Sequence, residues 1–113
     1  MNRREQELVE QMYRRHGYRC FVTGRPATQR AHIIADTKPC RLIHGDDIID
    51  NPLNWLPAAD LAANKKIDIG RILVNQMEVA RIIRDEKLTE SRKQKKIEDL
   101  VRKNIKRKEK KIG

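Results

Sequence analysis

Three side chains between Tyr18 and Gly70 are of the types, and in the order, that phosphodiester chemistry can use. His32 lies in a strand-compatible apolar run, Asn54 in a proline-bounded loop, and Asn64 at the end of a short helix-compatible segment. Cleavage assisted by one metal ion needs a neutral imidazole to deprotonate water, a group that holds the imidazole, and an oxygen ligand for the cation. His32, Asn54 and Asn64 are candidates for these three parts.

The elements that must position them can be read from local patterns. Residues Asn2 to His16 place Leu8, Val9, Met12 and Tyr13 on one face, the spacing of an amphipathic helix that Gly17 would end. The runs YRCFV and RAHIIA flank a segment whose Gly24 and Pro26 favour a turn, which predicts a hairpin with His32 on its second strand. From Asp36 to Asn54 the chain is polar and interrupted by Pro39, Gly45 and Pro52, reading as a long loop with at most a turn of structure; loops of this length are usually functional. Pro57 suits the first position of a helix over Ala58 to Lys66. After Gly70, RILVNQMEVARIIRDE has helical spacing, although Ile69 to Val74 is also compatible with a strand. Thr89 or Ser91 can cap a last helix in which Ile97, Leu100, Val101 and Ile105 form a narrow apolar seam. The expected organisation is an N-terminal helix (1–17), a core (18–70) and a basic helical extension (71–113).

Composition narrows the class. The chain has 113 residues with 38% hydrophobic and 37% charged side chains, so a single small core is expected. Its four aromatic residues, Tyr13, Tyr18, Phe21 and Trp55, all lie in the first half. Formal net charge is +10, and the stretch from Lys87 to Gly113 holds twelve Lys or Arg against four Asp or Glu, which is most of the excess. Such a segment attracts polyanions, nucleic acid above all, by counterion release; a solubilising tail is the plainer alternative. Two cysteines, Cys20 and Cys40, without any CxxC pair make neither a disulfide framework nor a structural zinc site, so no structural zinc is expected. MNRREQELVEQM has no apolar signal-peptide region, no run is long enough to cross a bilayer, and no membrane partner is expected; a cytoplasmic setting is the default.

Taken together, CFVTG at Cys20 to Gly24, AHII around His32, NW at Asn54-Trp55 and NKKIDIG from Asn64 to Gly70 resemble the HNH endonucleases, the ββα-metal or His-Me finger nucleases, in their HNN form. The resemblance covers about half the chain. It implies an α+β fold in which a small finger of hairpin, loop and helix is flanked by an N-terminal helix and basic C-terminal helices. It further implies a metal-dependent DNA endonuclease that nicks one strand: His32 as general base, Asn54 holding the imidazole, Asn64 offering its amide oxygen to Mg²⁺ or Mn²⁺. Arg92, Lys93, Lys95, Lys96, Arg102, Lys103, Lys106 and Arg107 would then grip the DNA backbone. The alternative is a catalytically weak nucleic-acid-binding module that retains the same scaffold.

Two departures from the family pattern matter. Ala31 stands where the family usually has an Asp or His ligand, so Asp68, or alternatively Asp60, each four residues from Asn64, is the candidate substitute. Asn51 competes with Asn54 for the orienting role. Elsewhere, His44, Asp46 and Asp47 read as solvated loop groups or a second metal cluster, His16 as a helix-end residue whose cation the dipole favours, and Trp55 as core rather than a base-stacking platform. The Ile97 to Ile105 seam could serve a homodimer or pack on its own core.

Overall fold

The computed structural model describes residues 2–112. Helix α1, Arg3–Arg15, starts where the Asn2 side chain accepts the Glu5 N–H at 2.8 Å. It ends at His16, followed by Gly17 (φ 62°) and Tyr18 (φ 59°). Two successive left-handed residues turn the chain sharply, and the Tyr18 hydroxyl bonds back to Glu10. Residues 21–23 form a second tight turn, closed by Gly24 N–H to Cys20 O at 2.9 Å, so YRCFV is not a strand. It makes an isolated bridge, Arg19 to Pro26, closed by Cys20 N–H to Arg25 O at 2.7 Å.

The strand carrying His32, β1 (Gln29–His32), pairs instead with β2 (Trp55–Ala58), antiparallel, with Gln29 opposite Ala58 and His32 opposite Trp55. The connection between them is not a bare loop. Thr37 caps α2 (Lys38–His44), and α3 (Asp46–Ile49) follows before a turn of 3₁₀ helix at Pro52–Asn54. Pro57 and Ala58 belong to β2, and Asp60 accepts the Ala63 N–H at 2.8 Å, so α4 runs Leu61–Ile67 rather than starting at Ala58.

Segment 69–74 forms no strand; Ile69 N–H donates once to Ile33 O at 2.8 Å, and α5 begins at Leu73 and ends at Arg84. Thr89, not Ser91, caps α6 (Glu90–Ile112) by accepting the Arg92 N–H at 3.3 Å. The fold is therefore α+β, with a two-stranded antiparallel sheet among helices.

One apolar core joins residues from Cys20 to Val101: Ala31, Ile33, Leu56, Ala63 and Ile67 meet Val79, Ile82, Ile97 and Val101. The basic segment is not a detachable tail. Its seam is consumed inside the monomer, with Ile97 and Val101 buried and Leu100 and Ile105 packed against the same core. No described helix is long and apolar enough to cross a membrane.

Candidate functional site

Side chains alternate across a strand, so β1 has two distinct faces. Gln29 and Ala31 face α4: the Asn64 Nδ2 donates to Gln29 Oε1 at 2.7 Å, and Ala31 packs in the core with Ala63 and Ile67. Arg30 and His32 face the other way. The Arg30 guanidinium lies 4.5 Å from the Trp55 ring centroid and pairs with Glu5 of α1 at 3.0 Å, and the His32 ring meets the same indole edge-on at 6.4 Å. Trp55 is buried and its Nε1 donates to Ile49 O, so it is core.

His32 is half-buried, yet neither ring nitrogen is hydrogen-bonded or sealed from solvent. Burial first, and then the Arg30 charge, pushes its pKa below the ordinary histidine value; Asp36 and Asp50 pull weakly the other way. Burial and the Arg30 charge both favour the neutral, proton-accepting ring. Beside it Arg41 binds Asp36 (2.7 Å), Asp46 (2.9 Å) and Asp50 (2.8 Å), clamping both ends of the α2–α3 excursion. Nothing in the local spacing of Arg41 marks it, because its partners are gathered by the excursion and not by helix periodicity.

Asn54 does not hold the imidazole. It is wholly buried, its Oδ1 accepts the Ile34 N–H at 2.8 Å, and its Nδ2 donates to Ile34 O at 3.1 Å and Ile49 O at 3.2 Å. All three bonds run to backbone, and they fasten the two ends of the long connection together. Asn51 does not take over the orienting role either; its side chain accepts the Leu53 N–H and caps the 3₁₀ turn.

The structure does not bring His32 and Asn64 onto one face of β1. Of the candidate ligands, Ala31 is 0% exposed and offers no donor. Asp60 is occupied, as the α4 cap and in an ion pair with Arg25 at 2.9 Å, which removes it as the alternative ligand. Asp68 sits one turn beyond Asn64 at the end of α4, with Oδ1 accepting the Gly70 N–H and Oδ2 left over. Among the described residues no three His, Cys, Asp or Glu side chains are gathered to hold a metal ion. Two oxygens, Asn64 Oδ1 and Asp68 Oδ2, remain uncommitted. Mg²⁺ commonly takes only one or two protein oxygens and completes its shell with water and substrate phosphate, so either oxygen by itself is a ligand of the right type.

The C-terminal helix fixes α4 in place. Lys108 Nζ donates to Asp68 O at 2.7 Å and Lys65 O at 3.1 Å, and Asn104 donates to Asp68 O at 3.2 Å, satisfying carbonyls that a helix end leaves open. At 100° per residue, Arg92, Lys95, Lys96, Lys103 and Lys106 share the face of α6 turned away from buried Ile97 and Val101, with Arg107 on its flank beside Leu100, and all six cations are exposed. Lys93 and Arg102 leave this group. Lys93 Nζ donates to Ile83 O at 2.7 Å, while Arg102 stacks 4.8 Å from the Phe21 centroid and contacts Glu98 and Asp99.

The remaining histidines are structural. His44 is buried, its Nε2 2.9 Å from Gln76 Oε1, and Asp46 and Asp47 turn away to Arg41 and Arg84; the three form no cluster. His16 does end α1, but burial lowers its pKa and favours the neutral ring over the cation that the helix dipole alone would prefer. No family model, curated protein or solved structure matches the chain.

Proposed function

We propose that the chain is a metal-dependent DNA endonuclease of HNH type that nicks one strand at a time. The observation that carries this reading is His32: a half-buried imidazole whose surroundings favour the neutral ring and whose ring nitrogens are open to solvent. In the proposed reaction His32 takes the proton of a water, the water oxygen bonds to phosphorus, and the bond from phosphorus to the 3′ oxygen breaks. Asn64 and Asp68 would hold the cation together with the DNA phosphate, and the cation would supply charge stabilisation for the leaving oxygen. The exposed cationic face of α6 supplies phosphate contacts, which position DNA without reading its sequence. The test is relaxation of supercoiled plasmid with Mg²⁺ or Mn²⁺ against EDTA; a correctly folded protein that leaves plasmid intact under every metal condition overturns the reading.

A second reading, a nucleic-acid-binding module with weak or no catalysis, is favoured by buried Ala31 and by the placement of His32 and Asn64 on opposite faces of β1. DNA binding without nicking selects it.

The acid limb of the nicking rate should lie below pH 6.5, the ordinary histidine value. Because the folded pKa of His32 is lowered, the base form persists through neutral pH and is lost only as pH falls through that lowered value. A pH–rate profile at saturating metal checks this, and a limb above the ordinary value would remove His32 as the base.

Metal dependence should appear only with DNA present. Isothermal titration of the free protein with Mg²⁺ is expected to show no tight site, whereas Asn64→Ala should raise the Mg²⁺ concentration for half-maximal nicking several-fold, with Asp68→Ala smaller in effect. An unchanged Mg²⁺ curve for both variants would take α4 out of the metal site.

Replacing Lys95, Lys103 and Lys106 by glutamine should weaken DNA binding and flatten the slope of log affinity against log salt by about 0.9 for each lysine that touched a phosphate. All three are exposed and spare the core, so unfolding does not confuse the result. An unchanged slope would assign DNA contact to another surface.

A further inference from the structure

Large aliphatic side chains stand in solvent on two neighbouring helices: Leu42 (79% exposed) and Ile43 (58%) on α2, Leu73 (47%) and Met77 (54%) on α5. Three of the four are contiguous. Ile43, Leu73 and Met77 line one depression of about 290 Å³, and Ile43 and Leu73 also line an adjoining cavity of about 840 Å³ whose apolar floor includes Ala35, Pro39 and Cys40. A continuous apolar groove of this kind on a monomer marks an interaction site. The groove is preformed, because His44 Nε2 meets Gln76 Oε1 at 2.9 Å and Arg84 donates to His44 O at 2.5 Å, tying α2 to α5.

Charge identifies the occupant. The wide end of the groove is lined by three cations, exposed Lys65 and Arg71 and half-buried Lys108, none in an ion pair among the described residues. Asp68 is the one acid in that lining, so the wide end keeps a net excess of two positive charges. The narrow end carries Arg81 and Arg84, already balanced by Glu78 and Asp47. An aliphatic floor with two unbalanced cations at one end complements an aliphatic segment with acidic residues at one end.

We propose that the groove between α2 and α5 docks an amphipathic, acidic helix of a partner protein, with its aliphatic side chains inserted beside Ile43, Leu73 and Met77 and its carboxylates on Lys65 and Arg71. Other occupants match less well. No Phe, Tyr or Trp lines either depression and the His44 ring is buried, so unpaired bases find no stacking surface. A net charge of +10 opposes a second copy, and a concave face suits inserted side chains better than a bilayer surface.

The test uses the full chain with labelled methyl groups and a panel of helical peptides of about 18 residues, aliphatic at i, i+4 and i+7 and acidic at one end. Binding should shift the Ile43, Leu73 and Met77 methyl signals. Lys65→Glu with Arg71→Glu should weaken it about tenfold, and peptides with lysine in place of the acids should bind that variant better than wild type. Ile43→Asp, at an exposed position, should abolish binding with an unchanged circular dichroism melt. Failure of every peptide to bind overturns the proposal. It is equally overturned if the same methyl groups respond instead to anionic phosphatidylglycerol vesicles, to duplex DNA, or to protein concentration alone. None of these outcomes depends on nuclease activity.

Discussion

His32→Ala is expected to lower the rate of plasmid nicking by about a hundredfold or more, the size of effect that accompanies loss of a positioned general base. The expectation rests on an imidazole that contributes little to holding the fold together. Its ring nitrogens make no hydrogen bond among the described residues, and its one aromatic neighbour, Trp55, keeps its own bond to Ile49 and its stack with Arg30. The variant should therefore retain a near-wild-type melting temperature and DNA affinity while losing turnover. Imidazole added to the His32→Ala protein gives a further readout, since a small base that enters the vacated space should restore part of the rate. Equal relaxation of supercoiled plasmid by wild type and variant would end the assignment of His32, whatever else cuts.

Asn54→Ala should act through stability. Three hydrogen bonds to buried backbone groups of Ile34 and Ile49 disappear, and the groups left behind have no water to turn to. At about 1 kcal/mol for each bond, the loss is about 3 kcal/mol. For a domain of this size, that corresponds to a fall of about 10 °C in melting temperature. Asn54→Asp should be similarly harmful, because a carboxylate can still accept the Ile34 N–H but cannot donate to the two carbonyls. Calorimetry checks both variants. Were Asn54 instead the holder of the imidazole, Asn54→Ala would leave the melt unchanged and move the pH–rate profile, so melting and kinetics separate the two roles.

The sequence by itself determined what local chemistry can determine. The stripe of Leu8, Val9, Met12 and Tyr13 ends at Gly17 as α1 does, within a residue or two. The seam of Ile97, Leu100, Val101 and Ile105 on α6, with cations opposite, follows from a repeat of 3.6 residues and needs no partner to be seen. Thr89 was legible as one of two possible caps, beside Ser91, and Trp55 as core between Leu53 and Leu56. The candidate residues His32, Asn54, Asn64 and Asp68 were legible as types and spacings, and no further.

What only the tertiary structure decided is which groups meet. A strand's pattern states that it needs a partner without saying which; the end of YRCFV is taken up in a tight turn at residues 21–23, and β1 pairs with Trp55–Ala58 across the whole α2–α3 excursion. That pairing set the pleat and so turned His32 toward Trp55 and Asn64 toward Gln29. It also drew Asn54 inside, where an amide with two donors and an acceptor satisfies backbone groups that burial would otherwise strand. Arg41 among its aspartates, Lys108 on the end of α4 and His44 against Gln76 depend likewise on contacts between residues distant in the chain. Periodicity carries information over a few residues, whereas loop closure and burial select among distant partners by the free energy of the whole packed unit, which no single segment encodes.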